Sequence, residues 1–513
     1  MSAEETRLAG HLIREHFGDL AFQVISLLVQ HGRLSLREIV DRTGLLRDRV
    51  RKVLCTLGQH RAVEFDARPR DGQALYAASI RNCLLRLRYP RFIRAAKDMS
   101  HVTSDRRAAR VELVVADVLQ NGRTTINELL ERVKNRGPTR REDVAEIVEA
   151  IAYLVENHYL KRSRPLADDD DGTGKGPHVL PRDVTNFLFG TDEPPEAKKR
   201  KTSDELPTFD DEDFFYEINF SAFHRRLFAE ATISLTEKLV DSTASVVVRT
   251  ILDKTATRAL STLRGLTTDP VTSFELFQAL PPLPVISRDE LRRYLVFLAD
   301  DDSSCRLLVK TGEQGGGVYA VDVNATTSLL RRETIESVVQ ERFGSRSLRI
   351  FRLLLEKKYL EQKQVGELAM VPAREAKELL YRMFAEDFVR VQEIPRTPDH
   401  APSRTFYLFA VDLDELARLL LGECCAAAAN LACRRRVEAD ACRRLIEKGA
   451  RCEAALDALR EAGKSTEEDA EESMTPAERR ELEAFRRAEK KLENAEIQLD
   501  ETMMILQKYN VIE

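Results

Sequence analysis

Near its N-terminus the chain carries apolar positions at helical spacing in two short runs, at 34–40 and 50–57. A Thr-Gly pair at 43–44 lies between the runs, and glycine readily takes the left-handed conformation that ends a helix. Two short helices joined by a glycine turn form a helix-turn-helix. An alternating segment with an Asp-Gly turn at 71–72 follows and predicts a two-stranded wing. The block therefore predicts a winged helix.

The same order of elements returns about 90 residues later. The segments LLVQHGRLSLREIV and DVLQNGRTTINELL share a helix, a Gln-x-Gly-Arg turn, a short β segment and a second helix. The end of each unit also corresponds, as LGQHRAVEF and LVENHYLKR. A repeat of this length exceeds the periods of solenoid proteins, so it predicts tandem domains.

Two further units follow the same order. In the third, Ser287 and Glu290 form a capping-box signature at a helix start, and a Gly-rich turn joins two alternating strands downstream. In the fourth, Pro372 stands at the start of the second helix of the pair, where proline is favoured. Both segments predict a helix-turn-helix with a β-wing.

The last hundred residues change character and predict two long helices around a polar loop. Phe485, Leu492, Leu499 and Leu506 recur every seven residues in the second helix, which is the spacing of a coiled-coil seam. We expect an antiparallel hairpin that closes within the chain, with these four residues as the partner-binding positions of the coil. A homodimer formed through the same seam is the alternative.

The pattern predicts a mainly α protein of tandem winged-helix (helix-turn-helix) domains with small β-wings and a C-terminal antiparallel coiled-coil hairpin. One segment breaks the pattern, because Leu166 to Asp213 holds 14 acidic and 6 basic residues. This composition predicts a disordered acidic linker. The predicted domains are a first winged helix (1–80), a basic connector with the second winged helix (81–164), the linker (165–213), a third winged helix (214–325), a fourth (326–411) and the helical hairpin (412–513).

The net charge of −5 hides an asymmetry, because residues 1–110 hold 21 Lys/Arg against 12 Asp/Glu. A basic stretch is consistent with nucleic-acid binding, although an ordinary solvated face rich in arginine has the same charge. In a winged helix the second helix enters the DNA groove and the wing contacts the backbone. The candidate DNA contacts are Arg47, Arg49, Arg51, Lys52, Arg68 and Arg70 in the first unit, Arg136, Arg140 and Arg141 in the second, and Arg288, Arg292 and Arg293 in the third. Winged helices also serve as protein docking modules, and acidic residues are mixed into every predicted recognition helix. For the third and fourth units we favour protein docking over DNA binding.

The sequence has no motif for catalysis or for a bound cofactor. It lacks HExxH, GxSxG, Walker A and Rossmann patterns, and its eight cysteines form no CxxC pair. We therefore expect no enzymatic activity, metal, cofactor or small-molecule ligand. No apolar run approaches the roughly 20 residues that span a bilayer, so no membrane segment is expected. The cysteine pattern favours a reduced compartment, the cytosol or the nucleus.

With these units in place, the chain resembles a known family, the tandem winged-helix subunit of eukaryotic RNA polymerase III. That subunit is the large member of a dissociable initiation heterotrimer. The resemblance rests on LAGHLIREHFGDL, on RLSLREIVDRTG with VRKVLCTLGQH, on LLRLRYPRFI after the first wing, and on SRSLRIFRLLLEKKYLEQKQVGELAMVPAREAKELLYRM. It extends to the terminal coil, and residues 165–213 are its least similar part. The architecture also resembles the large subunit of the general factor TFIIE.

The resemblance implies a non-catalytic nuclear subunit that binds the polymerase clamp, the other two heterotrimer subunits and promoter DNA, largely without sequence preference. The implied role is promoter opening and initiation at transfer RNA, 5S ribosomal RNA and other small RNA genes, with the active site in other chains. The alternative is a free-standing winged-helix DNA-binding regulator that dimerises through its C-terminal coil. A stable homodimer that selects one DNA sequence would favour that alternative.

Overall fold

The computed structural model describes residues 2–67, 74–98, 105–134, 141–163, 215–258, 267–281, 286–300, 305–395, 405–461 and 474–507. These fall into two compact units, residues 1–224 with 425–500, and residues 225–424 with 501–513. The predicted linker, 165–213, lies outside the described residues, as does the predicted turn at 71–72. The mainly α fold with small sheets is confirmed.

The first winged helix has the elements that the apolar spacing predicts. They are α1 (Ala3–His31), β1 (Leu34–Ser35), α2 (Leu36–Thr43), α3 (Arg47–Gln59), β2 (Val63–Ala67) and β3 (Ala74–Ala78). The three strands form an antiparallel sheet in the order β1-β3-β2. Gly44 ends α2 with φ at 66°, so the left-handed turn expected between the two helices is confirmed. Ile39, Val50 and Leu57 are fully buried and form its core with α1.

The second winged helix follows a basic connector. The connector contains α4 (Ile80–Leu84), a 3-10 turn (Leu85–Arg88) and α5 (Tyr89–Asp98). The winged helix consists of α6 (Asp105–Asn121), α7 (Ile126–Lys134), α8 (Arg141–Glu156), β4 (Leu160–Arg162) and β5 (Tyr216–Ile218). β4 pairs with β5 in antiparallel register, and Tyr216 also forms a bridge with Thr124. The predicted third winged helix spans 214–325 and therefore includes β5. The hydrogen bonds instead place β5 in the sheet of the second unit.

The third winged helix begins immediately after β5. It consists of α9 (Phe220–Leu239), α10 (Ser242–Arg258), β6 (Val271–Thr272), α11 (Ser273–Ala279), α12 (Arg288–Ala299), β7 (Leu308–Gly312) and β8 (Val318–Val321). Its sheet has the order β6-β8-β7. The Ser287 hydroxyl accepts the Glu290 backbone N–H, and the Glu290 carboxylate accepts the Ser287 backbone N–H, so the predicted capping box is confirmed.

The fourth winged helix repeats the order a last time. It consists of α13 (Val323–Phe343), α14 (Ser345–Lys357), β9 (Leu360–Glu361), α15 (Gln362–Leu368), α16 (Ala373–Ala385), β10 (Arg390–Pro395) and β11 (Thr405–Ala410). The sheet order is β10-β11-β9. Pro372 precedes the first residue of α16, as its sequence position predicts. Phe351, Leu380 and Met383 are fully buried in the core of this domain.

The C-terminal hairpin consists of α17 (Leu413–Glu461) and α18 (Pro476–Leu506). Arg435 Nη1 lies 2.6 Å from Glu496 Oε2, and Lys448 Nζ lies 2.7 Å from Glu478 Oε2. A Cβ at Gly449 would lie 2.8 Å from the Leu482 side chain, so the helices approach closely there. Later residues of α17 thus meet earlier residues of α18. The prediction of an antiparallel hairpin that closes within the chain is confirmed.

The predicted seam is buried unevenly. Phe485 and Leu506 are buried, whereas Leu492 and Leu499 are half-buried. Leu506 packs into the core of the fourth winged helix. The burial of these two residues stabilises the chain itself, and the assignment of the four seam residues as partner-binding positions stays a prediction.

One long helix passes a simple test for a membrane span. The segment Leu413–Ala455 is long and apolar enough by length and composition to cross a bilayer, contrary to the expectation from the sequence that no apolar run approaches that length. However, 39% of its most apolar window is buried within the protein, including Cys425, Ala428 and Ala429. Core helices of soluble proteins pass the same test, so this is weak evidence for a span.

Candidate nucleic-acid interface

The outward face of α3 is strongly basic. Its apolar residues, Val50, Leu54 and Leu57, are buried against the domain core. The four candidate cations, Arg47, Arg49, Arg51 and Lys52, are all exposed on the same helix. Across the residues that the structure describes, none of the four has a carboxylate partner or a side-chain hydrogen bond. We call these four residues the basic face of α3.

A groove of about 580 Å³ lies beside the basic face, between α2 and β3. Its lining residues are Ser35, Leu36, Arg37, Val40, Asp41, Arg47, Ala74 and Tyr76. Arg37 is exposed there and, like Arg47, has no ion-pair partner within the described ranges. The sequence analysis did not include Arg37 among the candidate DNA contacts, because it lies on the first helix of the pair. Its position two residues after Ser35, which caps α2, could have indicated it.

The structure does not describe the side chains of the predicted DNA contacts in the first wing and the second winged helix. Arg68, Arg70, Arg136 and Arg140 lie outside the described residues. Arg141 is the first residue of α8, and the structure describes its backbone but not its side chain. These five residues remain predicted DNA contacts.

The third unit presents cations together with apolar side chains. Arg292 and Arg293 are exposed on α12, while the Arg288 guanidinium lies 4.9 Å from the centre of the Phe277 ring. Arg288 thus makes a cation–π contact within its own domain. The same helix exposes Val296 at 56% and Phe297 at 46%.

The fourth unit differs most from the first. Its second helix, α16, exposes Tyr381 and Phe384, and the preceding turn exposes Met370 at 88%. Lys377 lies 5.9 Å from the centre of the Tyr381 ring. A surface that exposes several large apolar side chains close together in sequence is typical of protein interfaces. The prediction that this unit docks protein stays a prediction.

The C-terminal end of α3 is held by the second winged helix. The backbone N–H of Arg123 donates to Gln59 O at 3.3 Å, and the Gln59 side-chain amide donates to Arg123 O, also at 3.3 Å. Gly122 has φ at 78°, and a Cβ there would lie 2.6 Å from Gln59 O. Only glycine therefore fits this approach without a shift of the backbone.

A single buried carboxylate joins the same elements. Glu217 on β5 is 5% exposed, and its oxygens lie 2.5 Å from Arg61 Nη2, 3.1 Å from Arg123 Nε and 3.7 Å from Lys161 Nζ. Arg61 follows α3 in the first winged helix, whereas the other two cations belong to the second. The sequence repeat shared by the first two winged helices does not predict this contact, because Glu217 comes after the predicted linker.

Glu217→Gln is expected to lower the free energy of opening of this junction by about 1–3 kcal/mol, because it removes the charge from a buried acceptor of three cations. Hydrogen exchange of the amides in β4, β5 and the last turn of α3 measures that opening. Glu64→Gln is the matched control, since Glu64 is an exposed carboxylate on β2. Equal exchange in both variants would contradict a role for Glu217 in joining the two domains.

No site for a metal ion is found in the described part of the chain, where no three His, Cys, Asp or Glu side chains are grouped suitably. None of the eight cysteines forms a disulfide bond within the described ranges. The four exposed cations of the basic face suit electrostatic binding of a polyanion. Phosphate contacts of this kind set affinity and salt dependence rather than base preference.

Four family models match this chain. They are the RNA polymerase III subunit RPC82 helix-turn-helix domain at residues 7–67 and the RNA polymerase III subunit RPC82 model at 185–330. The others are the POLR3C C-terminal winged-helix domain at 335–411 and the RPC3 helical hairpin domain at 444–505. The match from 185 begins inside the predicted linker, so the family resemblance extends into that segment.

Several relatives are similar over nearly the whole chain. DNA-directed RNA polymerase III subunit RPC3 of Danio rerio is 38% identical over 543 residues, covering 99% of this chain and 98% of its own length. The Bos taurus subunit of that name is 36% identical over 540 residues, covering 99% of both chains. The Homo sapiens subunit is 36% identical over 538 residues, with 99% and 98% covered. At this identity and coverage, the chain belongs to the RPC3 subunit family of DNA-directed RNA polymerase III.

Proposed function

We propose that this chain binds the polymerase III clamp and promoter DNA, and that it assists promoter opening and initiation at transfer RNA, 5S ribosomal RNA and other small RNA genes. The observation that carries the DNA part is the basic face of α3, four exposed cations without counter-ions in the described chain. When such cations contact the phosphates of a duplex, they displace the counterions condensed on the DNA, whatever its sequence. The binding is therefore largely independent of sequence.

Protein docking falls to other parts of the chain in this proposal. The exposed aromatic residues of α16 and the mixed face of α12 would contact the clamp or the other two heterotrimer subunits. The hairpin, whose buried seam residues are occupied within the chain, would bind through its outer faces. Catalysis then belongs to the active site in other subunits, and this chain acts in the nucleus as a scaffold and DNA contact.

Affinity purification of the tagged full-length chain from nuclei tests this assignment. We expect the polymerase III core and two further subunits to co-purify, with cross-links from the clamp to this chain. Recovery of a homodimer without polymerase subunits would contradict the proposal and favour the free-standing regulator. Cross-links confined to subunits remote from the clamp would contradict clamp binding alone.

A further inference from the structure

The basic face of α3 carries a positive charge that the described chain does not neutralise. Residues 47–52 hold four cations and one carboxylate, Asp48. The ion pairs of Arg33 with Asp66 and of Arg61 with Glu217 use other cations of this domain. Four like charges within two helical turns repel one another, so an anionic segment that can reach them is attracted to them.

The chain itself contains an acidic run of matching size. Residues 204–213 include six carboxylates and no cation, and no cation lies between this run and Tyr216. The run falls outside the described residues. A second acidic run, 168–171, has only four carboxylates and is preceded closely by Arg162 and Arg164. The charge therefore favours 204–213 over 168–171.

The described residues bring the end of the acidic run next to α3. The run stops three residues before Tyr216, the first residue of β5, and Glu217 on β5 is paired with Arg61 at 2.5 Å. Arg61 lies two residues beyond the last residue of α3. Lys52 is seven residues before that end of the helix, which is about 10 Å along the helix axis. Because twelve residues of chain can span up to roughly 40 Å, the whole run can reach the basic face.

We propose that residues 204–213 bind the basic face of α3 when no nucleic acid is present and compete with DNA for it. The inference rests on the proposed function only for the competition, since the contact itself needs no DNA. A tethered segment of this length acts at an effective concentration on the order of millimolar, so even a weak contact is populated. DNA then displaces the segment and binds with an affinity reduced by the fraction of α3 that is free.

A zero-length carbodiimide cross-link on the full-length wild-type chain tests the contact directly. Lys52 is the amine of the basic face, so we expect a Lys52 cross-link to a carboxylate within 204–213, lost on addition of duplex DNA. Lys52→Arg keeps the charge and should abolish this cross-link. Lys97, an exposed amine on α5, is the internal control. A cross-link from Lys52 to 168–171 instead, or to neither run, would overturn the proposal.

DNA binding supplies an independent measurement. Converting the six carboxylates of 204–213 to amides should raise the affinity for a 20-base-pair duplex by about 3- to 10-fold at 50 mM salt, and the difference should vanish as salt screens the contact. The same conversion at 168–171 is the matched control and should change affinity less. In the background of Arg49→Ala, Arg51→Ala and Lys52→Ala, the conversion at 204–213 should have no effect.

The outcomes separate the two proposals. If the α3 variant loses DNA binding but the 204–213 variant binds like the wild type, the competition is refuted and the DNA role of α3 stands. If the α3 variant binds DNA normally, the proposed DNA role of α3 fails, and the Lys52 cross-link alone decides whether the contact exists.

Discussion

Replacing Asp500 with alanine is expected to lower the free energy of opening between the hairpin and the basic connector by about 3–5 kcal/mol. Asp500 on α18 is 1% exposed and accepts hydrogen bonds from Arg88 Nε at 3.0 Å and Arg91 Nη1 at 3.1 Å. The substitution removes the carboxylate that pairs with Arg88, whose side chain is only 9% exposed, and one carboxylate contact of Arg91, whose side chain is 11% exposed. Hydrogen exchange of α5 and of the end of α18 measures the loss, because a chain of this size does not unfold in one step.

His224 cannot replace the missing charge. Its Nε2 lies 2.8 Å from Arg88 Nη1, and burial, with Arg88, Arg81 and Arg91 next in importance, lowers the pKa of His224 to about 3. The imidazole is therefore neutral at pH 7 and accepts a hydrogen bond from Arg88 without balancing its charge. The effect of Asp500→Ala should accordingly remain the same across the neutral pH range.

Two further variants control the Asp500 result. Asp440→Ala removes an exposed carboxylate that lies 3.9 Å from Arg436 on α17, and it should cost less than about 0.5 kcal/mol. Replacing Arg88, Arg91 and Asp500 together with Met, Met and Leu should restore most of the lost stability, because the three charges of the network are then removed together. An Asp500→Ala loss no larger than the Asp440→Ala loss would show that the buried network does not hold the hairpin.

The triple substitution Arg49→Ala, Arg51→Ala and Lys52→Ala is expected to weaken duplex binding roughly 10- to 100-fold at 50 mM salt. The slope of log affinity against log salt should fall by about 2.7, since each lost phosphate contact contributes about 0.9. The loss should be equal for duplexes of unrelated sequence, because the basic face reads phosphates. Fluorescence anisotropy over a salt series measures both quantities.

A matched triple substitution separates this effect from a change in net charge. Arg434, Arg443 and Arg451 on α17 are exposed, and each pairs with a glutamate one turn away. Their replacement by alanine removes the same formal charge and should leave the affinity within about twofold of wild type. An equal loss in both variants would mean that net charge, rather than the basic face, sets the affinity.

Local patterns predicted helix boundaries in the first, third and fourth winged helices. The left-handed Gly44, the capping box of Ser287 with Glu290 and the position of Pro372 each set a helix boundary that the structure confirms. These boundaries were predictable because caps and turns depend on residues three or four positions apart. The exposure of the basic face followed from the same spacing, since burial of Val50, Leu54 and Leu57 turns the intervening cations outward.

The heptad reading of α18 was less complete. It identified Phe485 and Leu506 as buried, but the helix also buries Glu496 and Asp500. A seam search looks for apolar residues, so it passes over carboxylates whose burial is offset by ion pairs with Arg435, Arg88 and Arg91. The position of β5 was missed for a similar reason, because its partner strand is separated from it by the predicted linker.

The sequence by itself determined the repeated helix-turn-helix units, the hairpin and the basic outer face of α3. Each follows from the periodic placement of apolar residues over a few turns or strands. Only the tertiary structure decided how these elements are joined. Arg61 and Glu217 are 156 residues apart, and Arg88 and Asp500 are 412 residues apart. No local pattern encodes such a pairing, because the energy of a buried carboxylate depends on which cations the rest of the fold places beside it.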